Sequence, residues 1–155
     1  MNAPPVGLAF LISQVGAHAA HGFAELLSQL DLKPHDAGIL RILGSNPGQS
    51  QQALSDLLGA FPSQLVAMVD GLEKRGLVER RNNPHDRRSY RLYLTKTGRK
   101  TLARIGKLTL QLESDLFAAL HEQDRAVLLG LLTRIISEQG LTPGVHPAYK
   151  QIGMQ

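Results

Sequence analysis

A mainly α-helical chain with one small β-hairpin wing, a winged helix-turn-helix carried on a helical dimerisation region, is the fold class this sequence predicts. Three features predict it. Apolar residues recur at helical spacing through most of the chain, with long stretches near both ends. Two short helical stretches across Gly59-Ala60-Phe61 are followed by strand-like alternation on either side of a polar, basic tip. Charge is divided unevenly: residues 74–107 hold 12 Lys and Arg against only Glu79 and Asp86, while the other 121 residues hold 5 basic and 11 acidic groups. A net of +10 beside a net of −6 points to a polyanion-binding module on a neutral-to-acidic body.

The first element is a helix from Leu8 to Leu30, because Leu8, Leu11, Ile12, Val15, Ala19, Phe23, Leu26, Leu27 and Leu30 form one broad apolar face. Asp31-Leu32-Lys33-Pro34 ends it, since the residue before a proline is pushed away from helical geometry. Pro34 suits the first turn of a second helix, expected from His35 to Leu43. Gly44-Ser45-Asn46-Pro47-Gly48 reads as a loop. Ser50 can cap a third helix running to Leu58. Pro62 opens a fourth, ending at Gly76, on which Leu65, Met68, Val69 and Leu72 make a core-facing stripe.

Leu77–Arg81 and Ser89–Leu94 alternate with period two and read as two strands, with Asn82–Arg88 as the hairpin tip. Thr95 can cap the next helix, where Leu102, Ile105, Thr109, Leu112, Leu116 and Ala119 step by three and four like a coiled-coil seam. A last helix, about Glu122 to Gln139, carries leucines and isoleucines on more than one face, more than a single neighbour can cover. The expected organisation is a winged helix over 34–98, a dimerisation region from 6–33 and 99–140, and an extended or disordered tail over 141–155.

Composition removes several classes of function. The absence of cysteine among 155 residues excludes a disulfide framework, a thiolate zinc site, a Cys nucleophile and a thiol redox switch. Aromatic residues are 5% and Trp is absent, which argues against a stacking platform for single strands. No Lys or Arg precedes Lys33, so the apolar stretch from Val6 to Val15 does not read as a secretory signal. No apolar run approaches the roughly 18 residues of a bilayer span. A cytoplasmic protein without a membrane partner is expected. No Ser-His-Asp spacing, phosphate loop or carboxylate pair rises above chance, so no enzyme, cofactor or metal site is expected.

Duplex DNA is the expected polyanion. The face of the fourth helix opposite its apolar stripe carries Ser63, Gln64, Ala67, Asp70, Gly71 and Lys74, and residues near the start of a recognition helix reach base edges. Gln64 can pair with adenine, Ser63 can bond a base or phosphate, and Ala67 can touch a thymine methyl. At the hairpin tip Arg87 and Arg88 can enter a minor groove, where negative potential is focused. Asp86 makes sense there if it pairs with a neighbouring arginine and holds that side chain in place. The candidate DNA-contacting residues are Ser50, Gln51, Pro62, Ser63, Gln64, Ala67, Lys74, Arg80, Asp86, Arg87, Arg88 and Arg91.

The stretch from Gly48 to Gly98 resembles the multiple antibiotic resistance regulator (MarR) family. The resemblance rests on Ser50-Gln51 opening a helix, on Val69-Asp70-Gly71-Leu72-Glu73-Lys74-Arg75-Gly76-Leu77-Val78-Glu79-Arg80, and on Asp86-x-Arg88 followed by Leu94-Thr95 and Gly98. It implies a homodimeric repressor on a palindromic operator, with recognition helices in successive major grooves and wing arginines in flanking minor grooves. It also implies release from DNA by a small, often phenolic or anionic, molecule in a crevice between the dimerisation helices and the winged helix. Carried onto this chain, Arg88 is the minor-groove residue and Asp86 its orienting partner, and His18, His21 and Arg41 could meet an anionic ligand. The chain departs from the pattern at Ala53, where many members have Glu, and at Ala67-Met68, where many have Thr or Arg. The alternative reading is an architectural or partner-binding winged helix with little sequence specificity, which the small residues Ser63 and Ala67 favour.

Overall fold

The computed structural model of the chain describes residues 6–146 and Tyr149. The elements follow in the order α1 (Leu8–Ser28), α2 (Pro34–Ser45), β1 (Gln49–Ser50), α3 (Gln51–Leu58), α4 (Pro62–Lys74), β2 (Val78–Asn83), β3 (Asp86–Leu94), α5 (Lys96–Leu116) and α6 (Glu122–Glu138). A mainly helical chain with a small antiparallel sheet is therefore what the sequence builds.

Helix α1 stops two residues before the expected Leu30. Asp31 takes a left-handed conformation, φ 54°, and the Leu32 N–H returns to the Leu27 carbonyl at 3.0 Å. Helix α2 starts at Pro34, and the Asp36 carboxylate accepts the Lys33 N–H at 2.9 Å. It also runs past Leu43 through Gly44 and Ser45, so Gly44 is not the loop residue its neighbours suggest. A Cβ at Gly44 would strike the end of the Leu102 side chain, so this glycine serves helix packing rather than chain reversal.

Ser50 caps α3 as expected, its hydroxyl accepting the Ala53 N–H at 3.1 Å, with Ala53 offering no reciprocal bond. Ahead of it lies the short strand β1, which sequence periodicity does not announce because two residues carry no period. The sheet order is β1-β3-β2, all antiparallel, with Gln49 opposite Leu92 and Val78 opposite Leu94. The wing strands reach further than expected, leaving Pro84 and His85 as the turn. Asn83 explains the extension. Its buried side chain accepts the His85 N–H at 3.1 Å and donates to the Ser89 hydroxyl at 3.0 Å, closing the tip from inside.

Thr95 caps α5 by accepting the Gly98 N–H at 2.9 Å, and its own hydroxyl donates to the Gly76 carbonyl. A Cβ at Gly98 would overlap the Leu77 carbonyl oxygen, so only glycine lets α5 start this close to the wing. Helix α5 ends at Leu116, which puts Ala119 beyond the helix although the expected seam included it.

The core gathers Leu27, Leu40, Leu54, Leu65, Val69 and Leu92, each fully buried, where α2, α3, α4 and the sheet meet the end of α1. Helix α6 has no buried residue at all. Tyr149, in the stretch expected to be extended or disordered, corrects that expectation: it is buried in the core, its ring seated against Gly38 of α2. A Cβ at Gly38 would stand 3.0–3.2 Å from Cε2, Cζ and the phenol oxygen of Tyr149, so the missing side chain makes the slot. Burial pushes the Tyr149 phenol above its ordinary pKa, opposed by the nearby Arg41 guanidinium. The rest of the expected tail, at 147, 148 and 150–155, lies outside the described residues.

Candidate nucleic-acid interface

Helix α4 buries Leu65, Val69 and Leu72 and leaves Met68 half-buried, so its opposite face is fixed by default. Pro62, Ser63, Ala67, Gly71 and Lys74 are exposed on it. Val66, 39% exposed, joins them. The sequence did not single Val66 out, because an apolar residue flanking an apolar stripe reads as core; its offset of one position from Leu65 was the available signal. Gln64 is half-buried, and its side-chain oxygen accepts the Phe61 N–H at 3.3 Å, capping α4 from its third position.

The interface side of α3 is tied to α4 and the wing by Arg80. Its Nε donates to the Gln51 side-chain oxygen at 2.9 Å, Nη2 to Asp70 at 2.6 Å, and Nη1 to Glu73. The Arg80 side chain is only 16% exposed. The sequence proposed Arg80 and Gln51 for DNA contact; these hydrogen bonds take up the Arg80 guanidinium and the Gln51 side-chain oxygen within the protein and leave the Gln51 amide N–H groups outside them. They hold α3, α4 and β2 in one arrangement, since a guanidinium fork fixes the direction of each bond it makes. Asp70, on the expected recognition face, is likewise engaged inward.

Two other arginines are also engaged. Arg91 donates to the Gly48 carbonyl at 3.1 Å, bracing β3 against the start of β1. Arg81 lies opposite Arg91 in the sheet, and this like-charge pair is relieved because Arg81 pairs with Glu79 and stacks 4.3 Å over the Tyr93 ring.

At the tip the arrangement differs from the expectation for Asp86. Its carboxylate accepts the backbone N–H of Arg88 at 2.9 Å, two residues on, instead of pairing with a guanidinium. This is an Asx-type turn. A carboxylate held by a backbone donor shapes the chain and leaves the cations available. Arg87 and Arg88 are both exposed, and among the described residues no carboxylate pairs with either. Ser50 is half-buried at its cap, and Lys74 is exposed on the last turn of α4.

The three residues suggested for an anionic ligand are dispersed. His18 lines a cavity of about 380 Å³ with Gln14, Val15, Leu116, Phe117, Leu120 and Leu128, and neither His21 nor Arg41 borders it. His21 pairs with Glu25 at 3.4 Å across one turn of α1. Arg41 faces Gly144 and Tyr149 on α2. Among the described residues, no cluster of three or more His, Asp or Glu could hold a metal ion, and no helix is long and apolar enough to cross a membrane.

Comparison with known proteins agrees with this geometry. Residues 30–89 match the model of the MarR family. A protein of Thauera aromatica described as a transcriptional regulatory protein for the hcr operon is 33% identical over 141 residues, covering 86% of this chain and 85% of its own length. Among solved structures, the transcriptional repressor CouR bound to a 23-mer DNA duplex superposes with a TM-score of 0.73 at 35% identity, over 83% of this chain and 92% of that one. A MarR mutant from E. coli complexed with operator DNA gives a TM-score of 0.70 at 27% identity, over 83% and 93% of the two chains.

Proposed function

The chain belongs to the MarR family of transcriptional regulators, and from that premise we propose that it is a homodimeric repressor that binds a palindromic operator and is released by a small ligand. The observation that carries the DNA-binding part is the wing tip. Two exposed arginines sit on a narrow hairpin whose shape is set by Asn83 and Asp86, with no carboxylate among the described residues paired to either. The exposed face of α4, from Ser63 to Lys74, supplies the major-groove element, with Val66 and Ala67 suited to thymine methyl groups. Arg80 supports both indirectly, by keeping α4 and the wing in register.

Dimerisation is supported by the exposed apolar faces of α1 and α6. Phe10 is 61% exposed and Leu129 68% exposed, and a chain of this size rarely leaves such side chains clustered in water. The effector part rests on the family and on the cavity beside His18. A thermal-shift screen with aromatic acids on the parent and on His18→Ala tests it, because a ligand bound to the folded state raises the melting temperature.

Fluorescence anisotropy with the DNA upstream of its own gene, against random duplex at the same salt, tests specific binding; equal affinity for both would sink the repressor reading. Replacing Arg88 with Ala should weaken binding and lower the slope of log affinity against log salt by about one unit, the loss expected for one phosphate contact. The architectural alternative draws on the short side chains of Ser63, Val66, Ala67 and Gly71. A footprint lacking two protected half-sites one helical turn apart would favour it.

A further inference from the structure

Arg75 closes α4, but its side chain serves the end of a different helix. Its Nη2 donates to the Leu30 carbonyl at 3.0 Å and its Nη1 to the Asp31 carbonyl. Both carbonyls lie past the end of α1, where the left-handed turn at Asp31 brings two successive oxygens within reach of one guanidinium. The Asp31 carboxylate adds little, at 3.9 Å and 99% exposed. The planar fork of Arg75 thus clamps the turn that follows α1 from the residue just after α4, 44 residues away in sequence.

Apolar packing also joins these regions, since Leu27 of α1 and Leu32 just past its end lie in the same core as Leu65 and Leu72. The main packing of each helix goes elsewhere, that of α4 to α3 and β2 and that of α1 to α5 and α2. Apolar contact resists separation but is non-directional, so it tolerates a small tilt of α4 on its bed. Two hydrogen bonds from one planar group add direction to that contact, because both carbonyls must stay within reach of the same fork. The lever is long: 13 residues at about 1.5 Å each make α4 about 20 Å from end to end. A tilt of about 10° at Arg75 would move the Ser63 end by about 3.5 Å, close to the roughly 3.4 Å rise of one base pair.

We propose that Arg75 is a positioning residue that fixes the tilt of the recognition helix against α1, and thereby the half-site spacing a dimer accepts. This rests on the DNA-reading dimer proposed above, in which α1 belongs to the shared body and α4 to each half-site. Arg75 need not touch DNA to act in this way.

The test uses a duplex selected from random DNA by the full-length parent. To it are added versions with one base pair inserted or removed between half-sites, and a duplex with a single half-site. Parent, Arg75→Lys and Arg75→Gln are compared. Lysine keeps the charge beside both helix ends but is a single-point donor that cannot hold two carbonyls in a fixed plane. The parent is expected to lose about tenfold in affinity for each altered spacing, the penalty of about one lost base contact. Both variants should bind the single half-site within twofold of the parent while their spread across spacings falls below threefold, with melting still cooperative. A variant that keeps the parent's spread overturns the proposal. So does a variant that weakens on every duplex in equal proportion, which marks either a structural role or a direct phosphate contact. A parent indifferent to spacing would overturn the dimer reading beneath, and that result is visible without any variant.

Discussion

The winged helix and the helical body use the same apolar residue types to opposite effect. In the winged helix, Leu54, Leu65, Val69 and Leu92 are each 0% exposed, because three short helices and a small sheet close around them. In the body, α6 buries nothing, and Leu8 at 80% and Leu129 at 68% exposure face water. A leucine is worth about 2 kcal/mol when buried and nothing when exposed, so the first region is completed by its own fold and the second is not. The charge follows a different line: the basic run from 74 to 107 crosses from the wing into α5, where Arg99, Lys100, Arg104 and Lys107 belong to the body. Within the winged helix, repulsion is eased by specific pairing such as Arg80 with Asp70 and Glu73.

The sharpest way to break this contrast is to charge the body. Leu129→Glu with Ile135→Glu should convert a dimer to monomers in sedimentation velocity while the circular dichroism of the winged helix persists. Dimers that survive two buried carboxylates per chain would refute the α6 interface. The matching change in the winged helix is Leu65→Ala, expected to cost about 2–5 kcal/mol of unfolding free energy in urea titration. An equal cost from Leu129→Ala in a monomeric background would erase the distinction between the regions.

Smaller, and aimed at the charges, is Arg80→Met. It leaves Asp70 and Glu73 facing each other, but both are nearly half-exposed, so about 1–2 kcal/mol of stability should be lost. Operator binding lost with unchanged melting would restore the direct DNA role that the sequence suggested for this residue.

The smallest effect is a pH dependence. Burial holds the His35 imidazole below its ordinary value of 6.5, with Asp36 opposing and Lys33 assisting that shift. The unfolded chain therefore binds a proton at a higher pH than the folded one. Stability should be full above about 6.5 and fall as pH drops through 6.5 toward the folded value. His35→Gln should flatten that part of the melting profile; an identical slope in parent and variant would remove His35 from the account.

Much of the architecture was legible because it is locally encoded. Ser50 and Thr95 cap helices whose first N–H groups lie within three residues, and Pro34 and Pro62 open helices by their own ring geometry. Apolar stripes such as Leu65-Val69-Leu72 report their own burial. The reversal that misled is also local in appearance. Gly44 looks like an ordinary loop residue, yet it lies in α2 and is kept for a neighbour's side chain.

The sequence alone determined the six helices, the hairpin with its basic tip, and the concentration of positive charge between residues 74 and 107, but not the two-residue strand β1. These follow from periodicity, capping and composition, which act over a few residues at a time. Only the tertiary structure decided which cations remain available to a partner. Arg80 is engaged by Gln51 across 29 residues, Arg75 by Asp31 across 44 and Arg91 by Gly48 across 43, while Arg87 and Arg88 stay exposed. A guanidinium reads the same in any stretch of sequence. Its role is set by which carbonyls and carboxylates burial of the apolar core brings within about 3 Å of it.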